Sequence, residues 1–115
     1  MNINVTFRHM PLSEPLKEYA EKKILAVFEH FSQVESCHII LDVEKFRHIA
    51  EVVLTVKRYG KMEAKEESDD MYKSIDGVAD KIELQLNKLR EKRVDHKTKE
   101  HRTSLSDFER EINQN

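Results

Sequence analysis

Apolar and polar residues alternate in four short segments of the chain, and this period of two predicts β-strands with one buried face. The segments are residues 2–7, 36–45, 49–58 and 61–66. The positions predicted to face inward are Ile3, Val5, Phe7, Cys37, Ile39, Leu41, Val43, Ala50, Val52, Leu54, Val56, Met62 and Ala64. The positions of the second strand predicted to face outward are His38, Ile40, Asp42 and Glu44. Arg47-His48 is predicted to turn the corner before the third strand, and Tyr59-Gly60 the corner after it, because glycine permits a positive φ.

A period near 3.6 residues replaces the alternation in two other segments and predicts two helices. The first begins after Ser13, a favourable N-cap, carries Pro15 in its first turn and runs to about Phe31. The second spans residues 69–93, with Asp69 or Asp70 as its cap. Its apolar residues recur at gaps of three and four, which places them on one face: Met71, Ile75, Val78, Ile82, Leu86 and Leu89.

The predicted element order is β-α-β-β-β-α. One sheet face is apolar and both helices must cover it, so the predicted fold class is an α+β two-layer sandwich with a four-stranded mixed sheet and two helices on one face. The strand–helix–strand unit favours a right-handed crossover with the first two strands parallel, and the other connections are hairpins. A single core is predicted to contain Ile3, Val5, Leu16, Val27, Leu41, Leu54, Ile75, Ile82 and Leu86.

The periodic spacing of apolar residues ends after Val94. Residues 1–94 are therefore predicted to form one domain, and residues 95–115 a polar, flexible tail. The chain has 115 residues and a net charge of −2, which gives no overall attraction to nucleic acid. Its single cysteine, Cys37, excludes an internal disulfide and favours a reducing compartment. No apolar run approaches the roughly 20 residues of a membrane span, and the N-terminus lacks a secretion pattern. We therefore expect a cytoplasmic protein.

Catalytic and metal-binding patterns are weak. The six histidines do not fall at chelating spacings, and no Cys-x-x-Cys or His-Glu-x-x-His pattern occurs. Cys37 is on an inward strand position, whereas His38 points to the opposite face and cannot serve as its base. Two glycines are too few for a phosphate loop. We expect no catalytic site, no metal and no cofactor.

Charge is sorted along the second helix. Lys81, Lys88 and Lys92 fall on one flank of the apolar face, with Arg90 and Arg93 nearby. The other flank carries Asp76, Asp80, Glu83 and Asn87. Two interpretations remain open: a solvated surface helix, or a basic ridge that lies along a phosphate backbone. Arg8-His9 and the corner formed by Lys45, Arg47 and His48 are candidates to extend such a ridge.

The resulting set of candidate RNA-binding residues is Lys81, Lys88, Arg90, Lys92, Arg93, Arg8, Lys22, Lys45 and Arg47. The predicted outer face of the sheet offers no pair of aromatic residues for stacking bases, so an RNA-recognition-motif mode is disfavoured. Recognition of the backbone and shape of structured RNA is the mode that these residues favour.

Several short stretches resemble one known family. They are Asp70-Met71-Tyr72, Ser74-Ile75-Asp76, Asp80-Lys81 and Gln85-Leu86-Asn87-Lys88-Leu89, supported by Asn2-Ile3-Asn4-Val5, Leu16-Lys17-Glu18-Tyr19 and Val43-Glu44-Lys45. Over roughly residues 1–93 the chain is similar to short members of the ribosome hibernation-promoting factor family, which includes the ribosome-associated inhibitor called protein Y. Family members often carry a basic residue where this chain has Leu84. The resemblance implies the same fold, which in turn resembles the double-stranded-RNA-binding fold.

The resemblance also implies a function. Such proteins act in stress or stationary phase, bind ribosomal RNA in the decoding region of the small ribosomal subunit, inhibit translation by occupying the messenger and transfer RNA paths, and promote ribosome hibernation. A helper factor for ribosome pairing and a monomeric state off the ribosome are expected with it. The alternative is a protein-interaction module, such as a sigma-factor modulator, in which Leu84 and the acidic flank meet a protein partner.

Overall fold

The computed structural model describes residues 2–95, and describes side chains in residues 2–90. The elements follow the predicted order: β1 (Asn2–Arg8), α1 (Glu14–Phe28), β2 (Val34–Glu44), β3 (Arg47–Val56), β4 (Gly60–Ser68) and α2 (Met71–Asp95). The sheet, α1 and α2 as far as Ile82 form one compact unit, and residues 83–95 continue α2. Except for Asp95, the predicted tail lies outside the described residues. Neither described helix is long and apolar enough to cross a membrane.

The four strands form one mixed sheet in the order β1-β2-β3-β4. β1 runs parallel to β2, with Val5 opposite Ile39, and the other pairs are antiparallel. The register places Ile39 opposite Val52, and Val52 opposite Ala64, so the predicted inward residues share one face. The α+β class, the mixed sheet and the parallel first pair are confirmed.

Both helices begin where the sequence predicts. The Leu16 N–H donates to Ser13 Oγ at 3.4 Å, and the Tyr72 N–H donates to Asp70 Oδ1 at 3.1 Å. The end of α1 is a correction, since the helix stops at Phe28 instead of about Phe31. Beyond it the Phe31 N–H bonds to the Phe28 carbonyl at 2.9 Å, a tight turn that reverses the chain towards β2.

The hairpin boundaries also differ from the prediction. Glu44 pairs with Arg47, so the turn between β2 and β3 is Lys45-Phe46, and Arg47-His48 belongs to β3. Gly60, with φ 88°, opens β4 instead of occupying the turn centre, and β4 extends to Ser68 because His48 pairs with Ser68. These shifts arise because cross-strand pairing sets the ends of strands, and single-sequence alternation does not contain that information.

α1 and α2 are linked through Tyr19 and Asp76, and α2 lies on the apolar face of the sheet. The Ser74 hydroxyl donates to the His48 carbonyl oxygen at 2.6 Å. Farther along α2, a Cβ added at Gly77 would lie 2.6 Å from Glu66 Cγ, so glycine leaves room for the Glu66 side chain of β4 beside the helix.

Most residues of the predicted core are buried. Six of its members are buried: Val27, Leu41, Leu54, Ile75, Ile82 and Leu86. Ile3, Val5 and Leu16 are only half-buried. The reason for the first two is that β1 is an edge strand, which has a neighbouring strand on one side only.

Candidate RNA-binding surface

Lys81 lies on the flank of α2 that faces β4. Its ammonium group is 3.0 Å from Glu66 Oε1 and donates to the Lys65 carbonyl oxygen at 2.8 Å. The side chain is therefore a half-buried link between helix and sheet. For Lys81 to contact a phosphate, that anion must compete with the Glu66 carboxylate.

Lys88 departs from the predicted exposed ridge, because it is buried, with 6% of its surface exposed. Ser74, Lys81 and Lys88 are spaced by seven residues and so form one row along the helix. Ser74 is fully buried, which indicates that this row lies on the buried side of the helix instead of in solvent. The helical wheel gave the angular position correctly, but the buried face is wider than the apolar residues alone predict.

The rest of the predicted ridge lies near the end of α2. Arg90 is exposed and its Nη2 donates to Asn87 Oδ1 at 3.5 Å. Lys92 and Arg93 belong to the helix, and their side chains lie outside the described residues.

Arg47 is exposed but already paired. Its Nε and Nη2 donate to the two carboxylate oxygens of Glu67 at 3.0 and 3.1 Å, and Glu44 lies 3.4 Å from Nη1. The hydrogen bond and charge of Glu67 raise the pKa of Arg47 above its ordinary value. The predicted neighbour His48 is not at the corner, because it lies on the inner-face register, and its Nδ1 is buried without a hydrogen-bond partner among the described residues.

Three other predicted residues have exposed, positively charged side chains. They are Arg8 at the end of β1, Lys22 on α1 and Lys45 in the β2–β3 turn. Within residues 2–90, none of the three has an ion-pair partner. Arg8 and Lys45 lie towards the same end of the sheet, since Arg8 is opposite Asp42 in the parallel register. These side chains are available to anions without breaking an existing pair.

The outer sheet face contains a hollow of about 140 Å³ that sequence reasoning missed. Its floor includes Ile40 and Ile49, which are buried although they point away from the helices. Asp42 is also buried there, and its carboxylate lies 2.8 Å from His9 Nδ1. The remaining lining residues are Arg8, Glu44, Arg47, Glu51 and Lys65. Long charged side chains cover the isoleucines, so this part of the outer face is shielded from solvent.

Phe46 is a second feature that the sequence analysis passed over. It occupies the β2–β3 turn and is 89% exposed, whereas the other described phenylalanines are buried or half-buried. The signal was present in the sequence as an aromatic residue between Lys45 and Arg47. It becomes visible only when strand pairing places that residue at the tip of a hairpin.

The acidic flank of α2 is partly used within the fold. Asp76 accepts a hydrogen bond from the Tyr19 hydroxyl at 2.6 Å and lies 3.4 Å from Lys23 Nζ. That hydrogen bond, together with burial and the charge of Asp76, raises the pKa of Tyr19 to about 12. Asp80, Glu83 and Leu84 are exposed.

No group of three histidine, cysteine or acidic side chains in the described part of the chain is placed to hold a metal ion. Cys37 is buried on the inner face, and burial raises the pKa of its thiol to about 12. A thiol in that state is a poor nucleophile.

The comparisons with known proteins agree with one another. The family model described as "Sigma 54 modulation protein / S30EA ribosomal protein" matches residues 3–94. A ribosome hibernation promoting factor from Pseudomonas putida is 35% identical over 92 residues, covering 80% of this chain and 89% of the relative. One from Salmonella typhimurium is 32% identical over 96 residues, covering 84% of this chain and 100% of the relative. Among solved structures, a ribosomal subunit interface protein from Coxiella burnetii superposes with a TM-score of 0.73 at 31% identity, covering 78% of this chain and 98% of that one.

Proposed function

The chain belongs to the sigma 54 modulation protein / S30EA ribosomal protein family, and from this premise we propose that it is a ribosome hibernation factor. It binds the small ribosomal subunit through ribosomal RNA, occupies the decoding region, and stops translation by blocking the messenger and transfer RNA paths. The observation that carries this proposal is the match of residues 3–94 to the family, together with relatives named ribosome hibernation promoting factor.

Inhibition by occupancy needs affinity and shape but no chemical step. With a net charge of −2, attraction to RNA depends on where the cations lie. Arg8, Lys22 and Lys45 are exposed and have no ion-pair partner in residues 2–90, so they can meet phosphates at once. Lys81 and Arg47 are already paired with Glu66 and Glu67. They can contact a phosphate only if it competes with these carboxylates. We retain Arg90, Lys92 and Arg93 as proposed contributors from the end of α2, but not Lys88, because only 6% of its surface is exposed.

Sedimentation of purified bacterial ribosomal subunits with the full-length protein tests the proposal. We expect co-sedimentation with the small subunit and a parallel loss of cell-free translation. Binding should weaken by roughly 0.9 log unit per log unit of salt for each duplex phosphate contact that is made. Sedimentation with the large subunit alone, or binding without loss of translation, would contradict the proposal.

A charge-reversal pair sharpens this test. Arg8→Glu combined with Lys45→Glu should weaken binding strongly, because neither exposed cation has an ion-pair partner in residues 2–90. Each single reversal, Arg8→Glu and Lys45→Glu, is compared with Lys61→Glu, which changes the net charge by the same amount; Lys61 is also exposed but lies near Glu63, at 3.7 Å. Equal weakening by the control would mean that net charge, and not these positions, governs binding.

Exposed Leu84, at 48%, favours the second candidate function, a module that binds a protein such as a sigma factor. The acidic flank supports it less, because Asp76 is engaged by Tyr19 and Lys23. Salt separates the two functions, since a mainly apolar protein interface lacks the steep salt dependence of phosphate binding. Leu84→Ser should abolish binding under the second function and leave ribosome binding nearly unchanged under the first.

A further inference from the structure

The β2–β3 hairpin ends in a two-residue turn, Lys45-Phe46, between the paired residues Glu44 and Arg47. Of the two turn residues only Lys45 has a positive φ, 57°, in a position where glycine is favoured. The turn is nevertheless well anchored, because Arg47 is held by both Glu44 and Glu67. The fold therefore presents Phe46 on a short, braced tip.

The Phe46 ring is the most exposed large apolar side chain that the structure describes, at 89%. Single exposed apolar residues are common on soluble proteins and need no special explanation. What distinguishes this one is its setting. Lys45 beside it and Arg8 at the end of the neighbouring strand are exposed cations without ion-pair partners in residues 2–90, whereas the nearby Glu44 carboxylate is engaged by Arg47.

An aromatic face beside free cations is the combination that proteins use for single-stranded nucleic acid. The ring stacks on an unpaired base and the cations hold the adjoining phosphates. An apolar pocket on a protein would also accept a phenylalanine, but it would give no role to Lys45 and Arg8. The charge of the tip therefore favours RNA over protein as its partner.

We propose that Phe46 stacks on an unpaired base of structured RNA, with Lys45 and Arg8 contacting the flanking phosphates. This inference rests on the proposed function, because ribosomal RNA is the partner that supplies the unpaired base. In this proposal the hairpin tip contacts an RNA base, whereas the lysines and arginines considered above contact only the RNA phosphate backbone. The tip thereby adds a local requirement for an unpaired nucleotide to binding that is otherwise insensitive to sequence.

A substitution series at position 46 tests the stacking. Phe46→Ala should raise the Kd for purified small subunits by roughly 5- to 150-fold, the effect of losing one stacked base. Phe46→Trp should bind at least as well as the wild type, and Phe46→Leu should lose nearly as much as Phe46→Ala, because leucine is apolar but has no aromatic face. If Phe46→Leu binds like the wild type, the partner is an apolar pocket and the proposal is overturned. Folding of each variant is checked by circular dichroism and is expected to be unchanged at so exposed a position.

Tyr59→Ala is the matched control, since Tyr59 lies in the β3–β4 turn at the opposite end of the sheet and is 42% exposed. We expect it to bind like the wild type, and weakening equal to that of Phe46→Ala would overturn the assignment to the β2–β3 tip. If the wild type itself does not bind ribosomes, the proposed function fails. If the wild type binds and Phe46→Ala binds equally well, only the stacking inference fails.

The partner is identified directly by a photo-crosslink. The full-length protein with p-benzoylphenylalanine at position 46 is bound to purified small subunits and irradiated. The expected adduct is to ribosomal RNA, at a nucleotide that is unpaired in the free subunit. Adducts confined to ribosomal protein, or no adduct from a protein that still binds, would overturn the proposal.

Discussion

The Tyr19 hydroxyl donates to Asp76 Oδ1 at 2.6 Å, and this bond joins α1 to α2 across 57 positions of sequence. Tyr72 supports it from one turn earlier on α2, with its ring centroid 4.9 Å from that of Tyr19 in an edge-to-face arrangement. Lys23 also lies 3.4 Å from the same carboxylate oxygen. These contacts fix how the two helices meet over the sheet.

Tyr19→Phe should remove this hydrogen bond while keeping the ring. Because the pair is partly exposed, we expect a loss in the free energy of unfolding near the low end of the usual range, about 0.5 kcal/mol. Chemical denaturation of the two proteins in parallel measures the difference. Tyr72→Phe is the control, since it keeps the ring contact and leaves the Tyr19–Asp76 bond in place.

The same bond has a signature at high pH. The pKa of Tyr19 is raised from 10.0 to about 12, so the folded state holds the hydroxyl proton more tightly than the unfolded state does. Its contribution to stability is fully present below pH 10.0 and is lost as the pH rises through about 12. Ultraviolet absorbance of tyrosinate should show a component around pH 12 that Tyr19→Phe lacks. A wild-type titration indistinguishable from that of the variant in this range would show that the bond to Asp76 does not raise the pKa of Tyr19.

Ile82→Ala should destabilise the protein by about 2–5 kcal/mol, because Ile82 is fully buried and its truncation leaves a cavity. Leu84→Ala is the matched control two residues away on the same helix. Leu84 is exposed, so its truncation should change stability by no more than about 0.5 kcal/mol. Denaturant unfolding of both variants checks the assignment of the buried face, and equal losses would mean that it is misplaced.

Cys37 should resist thiol reagents in the native protein. It is 2% exposed, and burial raises its pKa to about 12, so little reactive thiolate is present at neutral pH. We expect a disulfide reagent to label it slowly in buffer and rapidly in denaturant. Immediate labelling of the folded protein would mean that β2 opens readily.

Glu66→Gln should release Lys81 for RNA. The pair is 3.0 Å apart, and Glu66→Gln removes the competing carboxylate charge with little change in side-chain size, while the Lys81 ammonium group keeps its bond to the Lys65 carbonyl oxygen. Under the proposed function, Glu66→Gln should tighten ribosome binding and Lys81→Gln should weaken it. Glu63→Gln is the control for net charge, since Glu63 is an exposed acid on the same strand. If Glu66→Gln and Glu63→Gln have equal effects, Lys81 serves the fold alone.

The hydrophobic periodicity predicted the helices and strands well, because it depends on interactions between residues that are close in sequence. The period of two in β2 and β3 and the period near 3.6 in α2 reflect burial of one face, and burial selects residue type position by position. Ser13 was recognisable as a cap, and the second cap was narrowed to Asp69 or Asp70, because a cap bonds to a backbone amide only two or three residues away. Element ends, such as Phe28 and the Lys45-Phe46 turn, were predicted less well because partners distant in sequence set them.

The sequence by itself thus determined the fold class, the inner face of the sheet and the family to which the chain belongs. Only the tertiary structure decided which cations remain available. Lys81 meets Glu66, Arg47 meets Glu67, and Lys88 is buried, while Lys45 and Arg8 have no ion-pair partner in residues 2–90. The sequence does not show whether a lysine faces solvent or a carboxylate. Strand register and helix placement decide this, and both depend on residues that are distant in sequence. The exposure of Phe46 was decided in the same way, by the two-residue turn that β2 and β3 leave when they pair.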